Sequence, residues 1–112
     1  MNDVMEQKDT VIDAASCAVV VVDVQNDFCH DDGAFATLGP DVSRLQAVVP
    51  AIESLLELAH AESVPVIHLV TTHGPWSDSP SWRRRGLAGA TLDVERTPFL
   101  LPGTWGAEMY RL

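Results

Sequence analysis

The sequence has few basic residues, and this shortage argues against one large class of function. Its 112 residues contain 7 Lys and Arg against 16 Asp and Glu, which gives a formal net charge of −9 at pH 7. A nucleic-acid-binding protein needs a basic surface that neutralises phosphates. The only basic cluster is the short run Arg83 to Arg85. We therefore expect no nucleic-acid partner, and an acidic surface would also repel anionic lipid.

Cysteines and long apolar runs are scarce as well. Cys17 and Cys29 are the only cysteines, too few for a disulfide framework, so we expect free thiols in a reducing compartment. The longest apolar run, residues 18–22, is far shorter than the roughly 20 residues of a membrane span. The acidic start, with Lys8 as its one basic residue, does not resemble a signal peptide. We predict a cytoplasmic protein with a polar tail over residues 1–15 and one domain over residues 16–112.

Two apolar segments flank an amphipathic one, an order that predicts a βαβ unit. Residues 18–22 are apolar at successive positions, and four of the five are β-branched valines. Such a run is typical of a strand buried on both faces of a parallel sheet, and residues 64–70 form a second apolar segment. Between them, apolar residues recur at helical spacing at Ile52, Leu55, Leu56 and Ala59. The fold class is therefore α/β with a parallel sheet and a right-handed crossover.

Two local signals bear on where the predicted helix begins and whether it is continuous. Ser43 and Gln46 have the spacing of a capping box, which predicts the start of the helix. Pro50 falls inside the pattern, so it either kinks this helix or opens a second one. Residues 24–42 and 102–108 are expected to be loop and turn. Residues 71–101 show no clear element, and so long a loop tends to be functional or disordered.

Asp23 follows the first predicted strand, at the edge of the sheet where ligands bind in open α/β folds. A partly desolvated carboxylate that faces such a crevice suits general-base catalysis. The alternative is a strand-end aspartate that caps nearby backbone amides. A single βαβ unit also cannot cover both faces of two apolar strands, so either more sheet is missing from this chain or a partner provides the cover.

The motifs around Asp23 resemble those of the isochorismatase-like cysteine hydrolases. Residues 21–28 read VVDVQNDF, a glycine-containing loop follows with GAF at 33–35, VIHL stands at 66–69 and GTWGAE at 103–108. The family includes isochorismatases, nicotinamidases, N-carbamoylsarcosine amidases, and ureidoacrylate and biuret hydrolases. The resemblance covers roughly residues 17–110 and implies a three-layer, Rossmann-like α/β fold, of which this chain holds only a part.

The resemblance also implies an Asp-Lys-Cys triad, in which Asp23 matches the base that takes the thiol proton. The other two members have no match, because the only lysine is Lys8 and the chain reaches Leu112 before the strand that carries the family's lysine. Cys17 opens the first strand at its far end, and Cys29 lies in a loop, so neither is expected to be the nucleophile. We therefore expect a fragment of a hydrolase that is inactive alone. The alternatives are one half of a split hydrolase and a non-catalytic α/β binding module.

Candidate substrate contacts are Phe28, His73 and Trp76, each of which has loop or core packing as its alternative role. The run at 83–85 is either a grip for a substrate carboxylate or a solvated surface. Because residues 70–76 lack the Asp-x-His metal pair of the nicotinamidase branch, we expect no metal and no cofactor. This difference favours the carbamoyl or ureido-amide branch, such as ureidoacrylate and N-carbamoyl amide hydrolases, over nicotinamidase. A homo-oligomer or a complementing C-terminal half are the expected partners.

Overall fold

The computed structural model describes residues 11–84, 86–87, 90–91 and 98–112. Two expectations therefore lie outside it. Most of the predicted tail at 1–15 is not among the described residues, and neither are the side chains of the arginine run at 83–85. Of the tail, Ala14–Ser16 forms a single 3-10 turn that Asp13 caps by accepting the amide N–H of Ala15 at 3.0 Å.

The central unit is two parallel strands joined by one long helix, which confirms the predicted βαβ unit and the α/β fold class. In chain order the elements are β1 (Val19–Val22), α1 (Asn26–Cys29), α2 (Ala34–Leu38), α3 (Ser43–Ala61), β2 (Val66–Leu69), α4 (Pro80–Arg84), β3 (Gly86–Leu87) and β4 (Ala90–Thr91). β1 pairs with β2 in parallel, with Val19 opposite Val66. The carboxyl ends of β1 and β2 therefore lie side by side, and Asp23 and Thr71 follow them.

The helix α3 differs from its prediction at the start. Ser43 is the first helical residue of α3 and not its N-cap. The N-cap residue is Val42, whose side chain makes no capping hydrogen bond. Instead the carboxylate of Asp41 accepts the Ser43 amide N–H at 2.9 Å. Gln46 is drawn away, because its amide donates to the carbonyl of Cys29 at 2.8 Å. The predicted capping box is therefore wrong, and the 19-residue helix runs through Pro50 without a second start.

The buried stripe of α3 is also shifted from its predicted position. Val49 and Ala59 are buried, and Ile52 and Leu56 are half-buried. Leu55, which we placed on the apolar face, is 47% exposed. The buried side of α3 is the side that faces β2 and the C-terminal segment. The helical pattern alone does not reveal where these two segments pack.

Two segments predicted to lack regular structure contain short elements. Residues 24–42 include α1 and α2, and residues 71–101 include α4 and the antiparallel pair β3 and β4. At α4 a local signal was present, since Pro80 occupies the first helical position and the Ser79 hydroxyl accepts the Trp82 amide N–H at 3.1 Å. The turn predicted at 102–108 is confirmed, with a 3-10 turn at Trp105–Ala107.

One face of the two-stranded sheet is left open. Val20, Val22, Ile67 and Leu69 are each about half-exposed, whereas Val21 on the other face is 6% exposed. This confirms that the described chain does not cover both faces of its strands. Of the helices in the described ranges, none is long and apolar enough to cross a bilayer.

Candidate functional site

Asp23 leaves the sheet in an unusual backbone conformation. Its φ is +60°, a left-handed value that few residues other than glycine adopt, while its amide still donates to the carbonyl of Leu69 at 3.0 Å. This turn directs the half-buried carboxylate across the end of the sheet towards Thr71. The Thr71 hydroxyl donates to Oδ1 of Asp23 at 2.7 Å. Among the described residues, the Thr71 hydroxyl is the group that donates a hydrogen bond to the Asp23 carboxylate, and no backbone amide does so.

Gln25 ties the ends of both strands together with its side chain. It is 0% exposed, and its Nε2 donates to the carbonyls of Thr71 at 2.8 Å and Ala107 at 2.9 Å. Its Oε1 accepts the amide N–H of Thr71 at 3.0 Å. The side chain thus pairs with Thr71 as an extra peptide group would, and it fixes the backbone beside Asp23.

The next two residues hold other segments in the same way. Nδ2 of Asn26 donates to the carbonyl of Trp105 at 2.8 Å. Asp27, 7% exposed, accepts two backbone amides, from Ala34 at 3.0 Å and from Leu100 at 2.7 Å. We call Gln25, Asn26 and Asp27 the polar hub, because they join the loops at residues 34, 71, 100 and 105–107 to the end of β1.

The sequence itself contains a signal for the polar hub. Gln25, Asn26 and Asp27 are consecutive polar residues that begin at the third position after the end of β1, and buried polar side chains are nearly always hydrogen-bonded. This pattern predicts that they bind backbone from elsewhere. Gly106 belongs to the same arrangement, since a Cβ at this position would collide with the carboxylate of Asp27. The glycine in the GTWGAE segment therefore allows the 3-10 turn to pack directly against the polar hub.

A cavity of about 310 Å³ opens beside Asp23. Asp23 and nine uncharged residues line it: Val22, Val24, Phe28, Cys29, Phe35, Leu45, Val48, Val49 and Ile52. A larger cavity, about 620 Å³, lies between the end of α3 and β2, where His60 and His68 are among its walls, and Asp23 is not. We place the candidate site at the smaller cavity, because it has a carboxylate at the carboxyl end of a parallel strand.

The three candidate substrate contacts do not come together at this cavity. Phe28 lines it, and it also packs edge-on against Phe35 and Phe99. His73 and Trp76 are not among the described lining residues. Trp76 is 73% exposed, with its indole ring over Gly74.

His73 is instead part of an aromatic stack that continues into the core. Its ring lies parallel to Trp82 at 4.3 Å and to Phe99 at 5.7 Å between centroids. Nδ1 of His73 is 2.8 Å from Oδ1 of Asp78, whose side chain is 5% exposed. Oδ2 of Asp78 is buried and has no hydrogen-bond partner among the described residues. These contacts connect α4 and the Phe99 segment to the end of β2, so His73 has a packing role in this structure.

His30, which lies just after α1, also has local partners. The amide of Asp32 donates to Nδ1 of His30 at 2.9 Å. The His30 ring packs edge-on against Trp105 at 4.8 Å. Among the described residues no three His, Cys, Asp or Glu side chains are grouped so that they could hold a metal ion.

Cys29 lines the cavity, but its thiol is poorly suited to attack a substrate. Burial raises the pKa of the Cys29 thiol above its usual value, and this outweighs the opposing effect of a backbone hydrogen bond with Gln25. Little thiolate is therefore present at neutral pH, and thiolate is the reactive form.

We predict that iodoacetamide at pH 7.5 alkylates the half-exposed Cys17 at least tenfold faster than the buried Cys29. Peptide mass spectrometry across a time course measures both rates. In denaturant the two rates should become similar. Preferential labelling of Cys29 in the folded chain would contradict this assignment and would reopen a nucleophilic role for Cys29.

The sequence matches a known protein family. Residues 17–111 match the sequence model of the Isochorismatase domain. The match begins just before β1, includes Asp23 and the whole polar hub, and ends after the segment whose Gly106 packs against Asp27. It covers nearly the whole chain, and the α/β architecture fits it. The chain therefore belongs to the isochorismatase family of hydrolases.

Proposed function

We propose that Asp23 is the general base of a hydrolase that cleaves a C–N bond in a small amide or ureido compound. The observation that carries this proposal is the carboxylate itself. It lies at the carboxyl end of β1 and beside a cavity, and Thr71 holds one of its oxygens at 2.7 Å. No described residue bonds to Oδ2, so this oxygen is available to a proton donor.

In the proposed reaction Oδ2 of Asp23 takes the proton of a cysteine thiol, and the sulfur attacks the carbonyl carbon of the substrate. As the C–N bond breaks, the same carboxyl group returns the proton to the leaving nitrogen. Water then attacks the carbonyl carbon of the thioester or thiocarbamate while Asp23 accepts a proton from it. The C–S bond breaks, and the sulfur takes this proton back from Asp23, which restores the thiol. A lysine in the triad would orient Asp23 and stabilise the developing charge.

We further propose that this lysine and this thiol come from polypeptide outside the 112 residues. Lys8 is the only lysine of the sequence and precedes β1, and the Cys29 thiol is buried with a raised pKa. The half-exposed aliphatic face of Val20, Val22, Ile67 and Leu69 supports additional polypeptide packing there. A ureidoacrylate-like or N-carbamoyl substrate remains part of this proposal, on the strength of the absent Asp-x-His pair at 70–76.

The DNA that follows the codon for Leu112 tests the second proposal directly. Translated in all three frames, it is expected to encode a buried strand that carries a lysine, followed by a cysteine at a strand-to-helix turn. The purified 112-residue chain should release no ammonia from small primary amides or ureides above the level of its Asp23→Asn variant. Hydrolysis by this chain that Asp23→Asn abolishes would show that the missing groups are not needed.

In the polypeptide that carries all three groups, Asp23→Asn is expected to lower kcat by about 10²- to 10⁴-fold, because the general base is lost while the side chain keeps its size. Steady-state ammonia release measures this effect. Asp41→Asn is the matched control, since Asp41 is exposed and bonds only locally at the start of α3. An Asp23→Asn enzyme with the kcat of the control would refute the role of Asp23.

A further inference from the structure

Thr71 has a closer relation to Asp23 than its place in an ordinary loop suggests. It is the second residue after β2, and its hydroxyl hydrogen is directed to Oδ1 of Asp23 with an Oγ1 to Oδ1 distance of 2.7 Å. The two residues are 48 positions apart, so the parallel pairing of β1 and β2 creates this contact. The bond also has a charged acceptor, and such bonds are stronger than bonds between neutral groups.

The position of the Thr71 hydroxyl is set from its backbone. The Gln25 side chain binds both the amide and the carbonyl of Thr71, at 3.0 and 2.8 Å. We call these two hydrogen bonds the Gln25 bracket. Because Gln25 is fully buried and also donates to the carbonyl of Ala107, the bracket cannot shift without breaking hydrogen bonds of the polar hub. Threonine is branched at Cβ and restricted in χ1, so a fixed backbone leaves the hydroxyl few positions.

Asp23 needs such support, since its own backbone does not restrain the carboxylate. Its left-handed φ turns the side chain out of the strand, and the carboxylate is only half-buried. Two single bonds then remain free to rotate. A donor fixed at Oδ1 restricts both rotations and decides which oxygen faces the open side.

We propose that Thr71 is the positioning residue for Asp23: its hydroxyl holds Oδ1 so that Oδ2 is the oxygen that exchanges protons. This inference rests on the proposed general-base function. It adds that the accuracy of the base depends on a hydroxyl at the end of the neighbouring strand and on the Gln25 bracket behind it.

Three variants of the 112-residue chain test the proposal. Thr71→Val keeps the branched shape and removes the donor, and Thr71→Ser keeps the donor. Thr104→Val is the matched control, because the Thr104 hydroxyl donates to the carbonyl of Leu101 at 2.6 Å and not to Asp23. Three-bond NMR couplings of the Asp23 side chain report its χ1 population, and thermal unfolding reports whether each variant is folded.

We expect a single Asp23 rotamer in the wild type, in Thr71→Ser and in Thr104→Val, and averaged couplings in Thr71→Val. In the polypeptide with the full triad, Thr71→Val should lower kcat about tenfold with little change in KM, and Thr71→Ser should restore it. If Thr71→Val disrupts folding, the comparison of wild type with Thr71→Ser still decides, because loss of the single rotamer or of kcat in Ser would overturn the proposal.

Other outcomes are equally decisive. An Asp23 side chain that is averaged in the wild type, or unchanged in folded Thr71→Val, would overturn the positioning role even where Asp23 proves to be the base. Conversely, if the couplings behave as expected while Asp23→Asn leaves hydrolysis intact, the contact is real and the proposed function is what fails.

Discussion

Replacement of Asp27 with alanine is expected to lower the free energy of unfolding by about 3–6 kcal/mol, since a hydrogen bond to a charged group contributes about 1.5–3 kcal/mol and two are lost. The buried carboxylate accepts the backbone N–H groups of Ala34 and Leu100. Ala34 is the first residue of α2, and Leu100 lies in the segment that follows β4. Without it, both N–H groups are left without a partner in a desolvated region. Urea denaturation followed by circular dichroism measures the change.

Two further variants define this effect. Asp27→Asn should lose less stability, because its amide oxygen still accepts one N–H while its NH₂ group faces the other. Asp41→Ala removes a similar carboxylate–amide bond, to Ser43 at 2.9 Å, but on an exposed surface, so it should lower stability much less than Asp27→Ala does. If Asp27→Ala were no more harmful than Asp41→Ala, the polar hub would not stabilise the fold.

Gly33→Ala is also expected to be strongly destabilising, with a loss in the free energy of unfolding of about 3 kcal/mol or more, the upper end of overpacking effects. A Cβ at Gly33 would collide with the carbonyl oxygen of Asn26 and lie 2.9 Å from Cα of Asp27. Both obstacles are backbone atoms, so no side-chain rotation relieves the clash. The chain would have to separate the start of α2 from α1, which weakens the bond between Asp27 and Ala34.

Gly39→Ala is the informative control for this prediction. Gly39 has φ of +112° and nothing within 4 Å of a built Cβ, so alanine there suffers backbone strain without a clash. That strain should cost about 1–2 kcal/mol. In thermal and urea unfolding, the Gly33→Ala variant should be clearly less stable than the Gly39→Ala variant. The reverse order would mean that α1 and α2 adjust to the added methyl group.

The strands and the position of Asp23 were predictable because their signals are local. Four consecutive valines make strand structure the favoured state for residues 19–22, and the apolar run before Thr71 does the same for residues 66–69. Strand, helix and strand in this order require parallel pairing, which places Asp23 beside the end of β2. The range that matches the family includes this residue.

The short helices and the aromatic contacts depend on residues far apart in the chain. α2 begins where Asp27 accepts the amide of Ala34, and Gln46 leaves the predicted capping box for the carbonyl of Cys29. His73 was proposed for the site from its place after β2, but Trp82 and Asp78 hold it in a packed stack. Propensity and spacing cannot show such competition, because each partner becomes available only after folding.

By itself, the sequence determined the βαβ order, the open aliphatic character of the strands and the placement of Asp23 at the carboxyl end of β1. Short-range backbone preference and hydrophobic burial suffice for these features. Only the tertiary structure decided what surrounds that carboxylate: the Thr71 hydroxyl, the Gln25 bracket and the amides bound by Asp27. Each is a hydrogen bond across 7 to 82 residues of chain, and its geometry is set by how the strands and loops pack.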